Sequence, residues 1–168
     1  MQGKMTLGIG TLMLTVASHA IAWDVGCKYG SFDQDTRYCE VTQREASDNS
    51  GFGIGYRSGE DEYDFFYKTT SNSIEFSEGA PVRFRLDDRE VQELGSTDNV
   101  YNYDGGASYS PLHTFEVSLP VSEAERILSE LRNSDVLRLK VEQGSEFYAE
   151  IPLTGFEDAV RSLQENTE

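Results

Sequence analysis

Cys27, Cys39 and His113 carry most of the chemistry that the residue types of this chain permit beyond its apolar N-terminal segment. A Ser–His–Asp relay needs a base beside a hydroxyl. Ser108 and Ser110 lie near His113, and acids are plentiful. No nucleophile-elbow motif surrounds any serine, however, and a lone histidine at the head of a strand reads as a solvated or capping residue. The two cysteines lack Cys-x-x-Cys spacing and have no histidine near them, so zinc finds no ligand set. In an oxidising compartment they are most simply a structural disulfide. Closing so short a loop stabilises the fold by about 3 kcal/mol on the chain-entropy argument. No catalytic residue, metal or cofactor is assigned.

The acids offer a second kind of chemistry. Glu60-Asp61-Glu62, with Asp64 two residues on, and Asp33 with Asp35 present carboxylate oxygens of the kind a hard cation takes. Neither has the EF-hand spacing, and both read as solvated hairpin tips, with weak calcium binding as the alternative. Glycoside hydrolysis needs two carboxyls in unlike surroundings. Among 30 acidic residues no pair is marked by an apolar neighbourhood.

Residues 99–110 point instead to recognition. Tyr101, Tyr103 and Tyr109 surround Gly105-Gly106 in a connection rich in Asn and Ser. Tyrosines in such loops supply amphipathic contact area at low entropic cost. The alternatives are a lid on the end of the fold, or another hairpin turning at Gly-Gly. Tyr101, Tyr103 and Tyr109 with Glu60, Asp61 and Glu62 form the candidate binding set, provided both segments converge on one surface. Arg83 and Arg85 share a strand face and are expected to pair with acids on a neighbouring strand.

These groups must be positioned by a mainly β fold, a β-sandwich or curled antiparallel sheet carrying two short α-helices near 122–132 and 155–165. Apolar residues alternate with polar ones in 36–45, 52–57, 62–68 and 82–87, where Val82, Phe84 and Leu86 interleave with Arg83, Arg85 and Asp87. That period of two predicts half-buried antiparallel strands. Clusters of Gly, Asn, Asp and Ser at 47–51, 58–61 and 71–73 supply turns. Phe115, Val117 and Leu119 predict another strand, ending at Pro120. Strands at 136–142 and 146–152 follow. Ser122-Glu123-Ala124-Glu125 and Thr154-Gly155-Phe156-Glu157 read as capping boxes, and Phe156, Ala159, Val160 and Leu163 form one apolar helical stripe.

Residues 1–22 set the compartment. Lys4, the small-residue apolar run Leu7 to Val16 and Ala20-Ile21-Ala22 have the order of a secretory signal peptide cleaved before Trp23. The run is too short and too interrupted to span a bilayer. The expected organisation is a signal peptide over 1–22 and one β-rich domain over 23–168, periplasmic or secreted, without a membrane span. The full chain carries a net charge of −16, and loss of Lys4 leaves the exported domain still more negative. Such acidity disfavours nucleic acid as a partner and permits a cationic protein.

Val82-Arg-Phe-Arg-Leu-Asp-Asp88, Ser96-Thr97-Asp98, the strand–helix–strand–strand order of 113–151 and Leu153-Thr-Gly-Phe-Glu-Asp-Ala-Val160 together resemble small exported proteins. The likeness is to the type VI secretion accessory group called VasI or TagO, and to the invasion-associated locus B group, over roughly residues 80–165. It implies a shared fold, and Asp87–Asp88 is the polar pair it carries over. The function these readings favour is an exported non-catalytic binding module with an envelope or secreted protein as partner, such as an envelope or secretion-system accessory. The alternatives are an acidic inhibitor or immunity protein against a cationic hydrolase such as lysozyme, and an exported hydrolase.

Overall fold

The computed structural model describes residues 23–29, 37–43, 50–59, 61–71, 73–105, 110–144 and 146–167. The elements in chain order are β1 (Trp23–Tyr29), β2 (Arg37–Gln43), β3 (Gly51–Arg57), β4 (Glu62–Thr69), β5 (Pro81–Leu86), β6 (Gln92–Ser96) and β7 (Asn99–Tyr103). They continue with β8 (Leu112–Pro120), α1 (Val121–Arg132), β9 (Val136–Val141), β10 (Phe147–Pro152) and α2 (Phe156–Thr167). The fold is mainly β with two helices, as the alternation predicts.

Two antiparallel sheets form, one of six strands in the order β1-β2-β3-β4-β8-β7 and one of four in the order β10-β9-β5-β6. Their apolar faces meet. Tyr67 of β4 packs 4.9 Å from Phe147 of β10, and Phe76 from the β4–β5 connection wedges against Phe115 and Phe147. Val82, Phe84 and Leu86 are buried, as are Leu137, Leu139 and Val141, so the alternating strands turn the predicted faces inward. Gly95 on β6, with φ at 143°, lets the sheets close: a Cβ there would stand 2.9 Å from Val117 of the opposite sheet.

The four-stranded sheet cannot cover the inner face of six strands, and the helices fill the remainder. Ile127 and Leu131 of α1 meet Phe52 and Phe65 of one sheet and Phe84, Leu94, Leu137 and Leu139 of the other. α2 lies against β1 and β2, with Trp23 edge-on to Phe156 at 5.0 Å and its indole N–H donating to the Thr154 carbonyl. No helix among the described residues is long and apolar enough to cross a membrane.

Both helix starts differ from the predicted capping boxes. β8 runs straight into α1, so Pro120 occupies the cap position and no side chain among the described residues caps the helix. The amide of Val121 donates instead to the Asp61 carbonyl, a tertiary substitute for the serine cap. α2 starts at Phe156 after Gly155, whose φ is 82°. Gly155 therefore stands where Thr154 was expected to cap. Two strands, β1 and β6, have no counterpart among the predicted elements, and β7 pairs antiparallel with β8, which is the hairpin alternative for 99–110 in place of an irregular connection.

Candidate functional site

The outer face of the six-stranded sheet is built around a bare strand. In β3, Phe52 and Ile54 point into the core while Gly51, Gly53 and Gly55 alternate on the other side. Phe66 of β4 and Tyr38 of β2 lean over this trough from either side. A Cβ at Gly53 would lie 2.2 Å from the Phe66 ring, and one at Gly55 would lie 2.1 Å from the Tyr38 hydroxyl. Glycine on a strand marks such a close approach, and a covering ring restores the packing that the missing side chain forgoes. Each ring also carries a cation, Lys68 at 4.7 Å over Phe66 and Arg57 at 5.9 Å over Tyr38.

Carboxylates gather around the same rings. Glu40 and Asp64 both flank Gly55 by register, Glu116 lies beside Phe66, and Asp64 accepts from the Ser118 hydroxyl at 2.9 Å. Burial, reinforced by Glu40, Asp64 and Glu116, holds the Tyr38 phenol above its ordinary pKa. Burial and Asp64 likewise raise the Glu116 carboxyl, against the amide hydrogen bond from Asn99. At the end of this face nearest Leu112 a groove of about 380 Å³ is lined by Glu40, Thr42, Lys68, Thr70, Pro111 and Leu112, with Ser110 at its mouth.

Tyr101 and Tyr103 extend the face to its edge. They sit at alternate positions of β7, stacked with centroids 6.5 Å apart, and are 54% and 39% exposed. Tyr103 is the register partner of Leu112, one of the residues that line the groove. Asp61 and Glu62 lie elsewhere. Glu62 pairs with Pro120 and Tyr101 with Thr114, six positions apart on β8, or about 20 Å. The tyrosines and the acidic turn therefore occupy opposite ends of one face and do not converge. Tyr109, Glu60, Asp33, Asp35 and Ser108 lie outside the described residues.

The remaining candidates have structural partners. Cys27 and Cys39 are bonded to each other between register partners of β1 and β2. His113 is fully buried on the inner face of β8, not solvated, because strand parity aligns it with Phe115 and Val117. Its Nδ1 meets Asn102 at 3.1 Å, and its Nε2 has no hydrogen-bond partner among the described residues. Asp87 sits at the β5–β6 turn with φ at 50° and accepts from the amides of Asp135 and Val136, both at 3.0 Å. Asp87 thus ties that turn to the start of β9.

Toward β9, Arg83 and Arg85 face the cations Lys140 and Arg138, whereas toward β6 Arg83 is the register partner of Glu93. Arg83 reaches Glu142, just past β9, at 3.3 Å. Arg85 has no ion pair among the described residues, so the expected pairing with acids across the sheet is met at Arg83 and not at Arg85. No group of three or more His, Cys, Asp or Glu side chains among the described residues is placed to hold a metal ion.

The features sequence reasoning missed were the glycine trough and the Glu40 and Glu116 carboxylates beside it, which register groups with the already noted Asp64. Period-two glycine in Gly51-Phe-Gly-Ile-Gly55 is the signal that marks a bare outer face. Compared with known proteins, the chain matches no family model, no curated protein and no solved structure.

Proposed function

We propose that the chain is an exported, non-catalytic binding module, an accessory of the envelope or of a secretion system, that engages its partner through the outer face of the six-stranded sheet. The observation that carries this reading is the exposed Tyr101–Tyr103 stack at the edge of that face. Two rigid aromatic groups held on a strand, with no role in the core, are suited to contact area. The ordering of residues 1–22 supports export, and the Cys27–Cys39 disulfide is compatible with an oxidising compartment. A photo-cross-linking residue at position 101, compared with one at the exposed Arg161 of α2, tests the site. A discrete adduct with an envelope component from position 101 alone is the expected result. Equal adducts from both positions, or none, remove the reading.

A second reading, inhibition of a cationic hydrolase, is favoured by the grouping of Glu40, Asp64 and Glu116 on the same face. Their field would steer a basic enzyme to it and weaken with salt. A lysozyme assay at low and moderate salt decides this, with no inhibition at either excluding that enzyme class.

A further inference from the structure

The edge strands of the two sheets are guarded unequally. β1 carries Asp24 and Lys28, β10 carries Glu150 and Pro152, and β6 carries Glu93 beside the register shift at Val82/Arg83. Charges, prolines and bulges are the devices that stop a foreign chain from pairing with a sheet edge. β7, Asn99-Val-Tyr-Asn-Tyr103, has none of them and pairs only with β8 among the described residues. It also presents Tyr101 and Tyr103 on the outer face at the spacing with which a strand displays alternate side chains. Asp98 and Asp104 bracket it, and Glu116 is the register partner of Asn99.

We infer that β7 is an acceptor edge for an extended, basic segment of a partner protein, which adds to the sheet as a further strand and lays alternate Lys or Arg side chains over Tyr101 and Tyr103. This rests on the reading of the outer face as the binding face, and it names the chemistry of the partner. Main-chain hydrogen bonds supply affinity in such strand addition, and alternate side chains supply specificity. The aromatic pair attracts cations through the ring faces, and the carboxylates at both ends of β7 complement them. A second copy of this chain fits poorly. It brings the same net charge of −16, and self-pairing centred on Tyr101 would set Asp98 against Asp104 of the other copy.

The test uses the purified protein with three blocked nine-residue peptides. One alternates Lys and Val, one replaces its central Val by Pro, and one alternates Glu and Val. The Lys/Val peptide is expected to bind and to slow amide hydrogen exchange across residues 99–103. The proline peptide, with its charge kept and its ladder broken, should bind roughly tenfold more weakly. The exposed double substitution Tyr101→Ala/Tyr103→Ala should weaken binding of the Lys/Val peptide by about five- to thirtyfold, the loss of two cation–aromatic contacts. Equal binding of the proline or Glu/Val peptide overturns the inference. So do protection of β1 or β10 in place of β7, self-association through β7, or no binding. If cross-linking from position 101 captures a partner while β7 amides stay unprotected by peptide, strand addition fails and the binding face stands.

Discussion

Phe66 closes over Gly53, its ring filling the space where any other residue would place a Cβ. Phe66 is itself buried, and the Val41 carbonyl stands 2.9 Å from that Cβ position. Neither neighbour can yield cheaply. Gly53→Ala should therefore destabilise by about 1–3 kcal/mol through overpacking. Gly55→Ala meets only the tip of the half-buried Tyr38, which can swing outward, and should cost less. Denaturant midpoints of the two variants give the comparison, and equal costs would mean that the trough is not held shut by Phe66.

The disulfide fastens the edge strand β1 to β2, and β1 in turn holds Trp23 against Phe156 and the Thr154 carbonyl. Replacing Cys27 and Cys39 by Ser should lower stability by about 3 kcal/mol if loop closure is the main effect. Trp23 is the single tryptophan of the chain, so its emission reports the detachment of β1. A red shift is expected at lower denaturant in the variant than in the parent. Coincident transitions would show that the β1–β2 ladder holds without the bond.

Strands with one buried face were legible because burial writes alternation into the residues. Val82, Phe84 and Leu86 do this on β5, and Phe147, Ala149 and Ile151 on β10. The strands missed, β1 and β6, and the one legible only as an alternative, β7, are all sheet edges. β6 buries only Leu94, while the described side chains of β1 and all those of β7 are partly or fully exposed. Backbone pairing with an inner neighbour holds these strands in place, and pairing leaves no mark on residue type. The site divides in the same way. Tyr101 and Tyr103 stood out as residue types, whereas Glu40, Asp64 and Glu116 come from β2, β4 and β8 and are grouped by register alone.

Asp87 links the pH dependence of stability to one turn. Its carboxyl is held below the ordinary aspartate value chiefly by the Val136 amide, then by Asp135, Arg89 and Arg138, against partial desolvation. A depressed folded-state value contributes stability above the unfolded value of about 3.9 and loses it as pH falls through the folded one. Asp87→Asn keeps an acceptor oxygen and tolerates the left-handed backbone but removes the charge. The variant should be less stable than the parent at pH 7, and the gap should narrow as the pH is lowered past about 4. Unfolding midpoints across that range test this, and a gap that stays constant would mean that the charge contributes nothing.

Asn102, on the exposed edge strand, and the buried His113 make a part-buried polar link whose two halves should respond differently to substitution. The Asn102 side chain accepts from the Phe76 amide, donates to the Phe76 carbonyl and meets the His113 Nδ1. Asn102→Ala strips partners from three groups and should cost about 1–3 kcal/mol, the penalty of leaving polar atoms unsatisfied. His113→Leu exchanges the imidazole for an apolar side chain of nearly its volume, leaves both Phe76 bonds intact and removes an Nε2 that has no partner among the described residues. It should fall within about 1 kcal/mol of the parent, because exchanging an incompletely bonded polar ring for an apolar side chain of similar volume is nearly neutral. Thermal unfolding of the two variants separates the cases. If His113→Leu proves as damaging as Asn102→Ala, the imidazole has a bonding role that its Nδ1 contact alone does not explain.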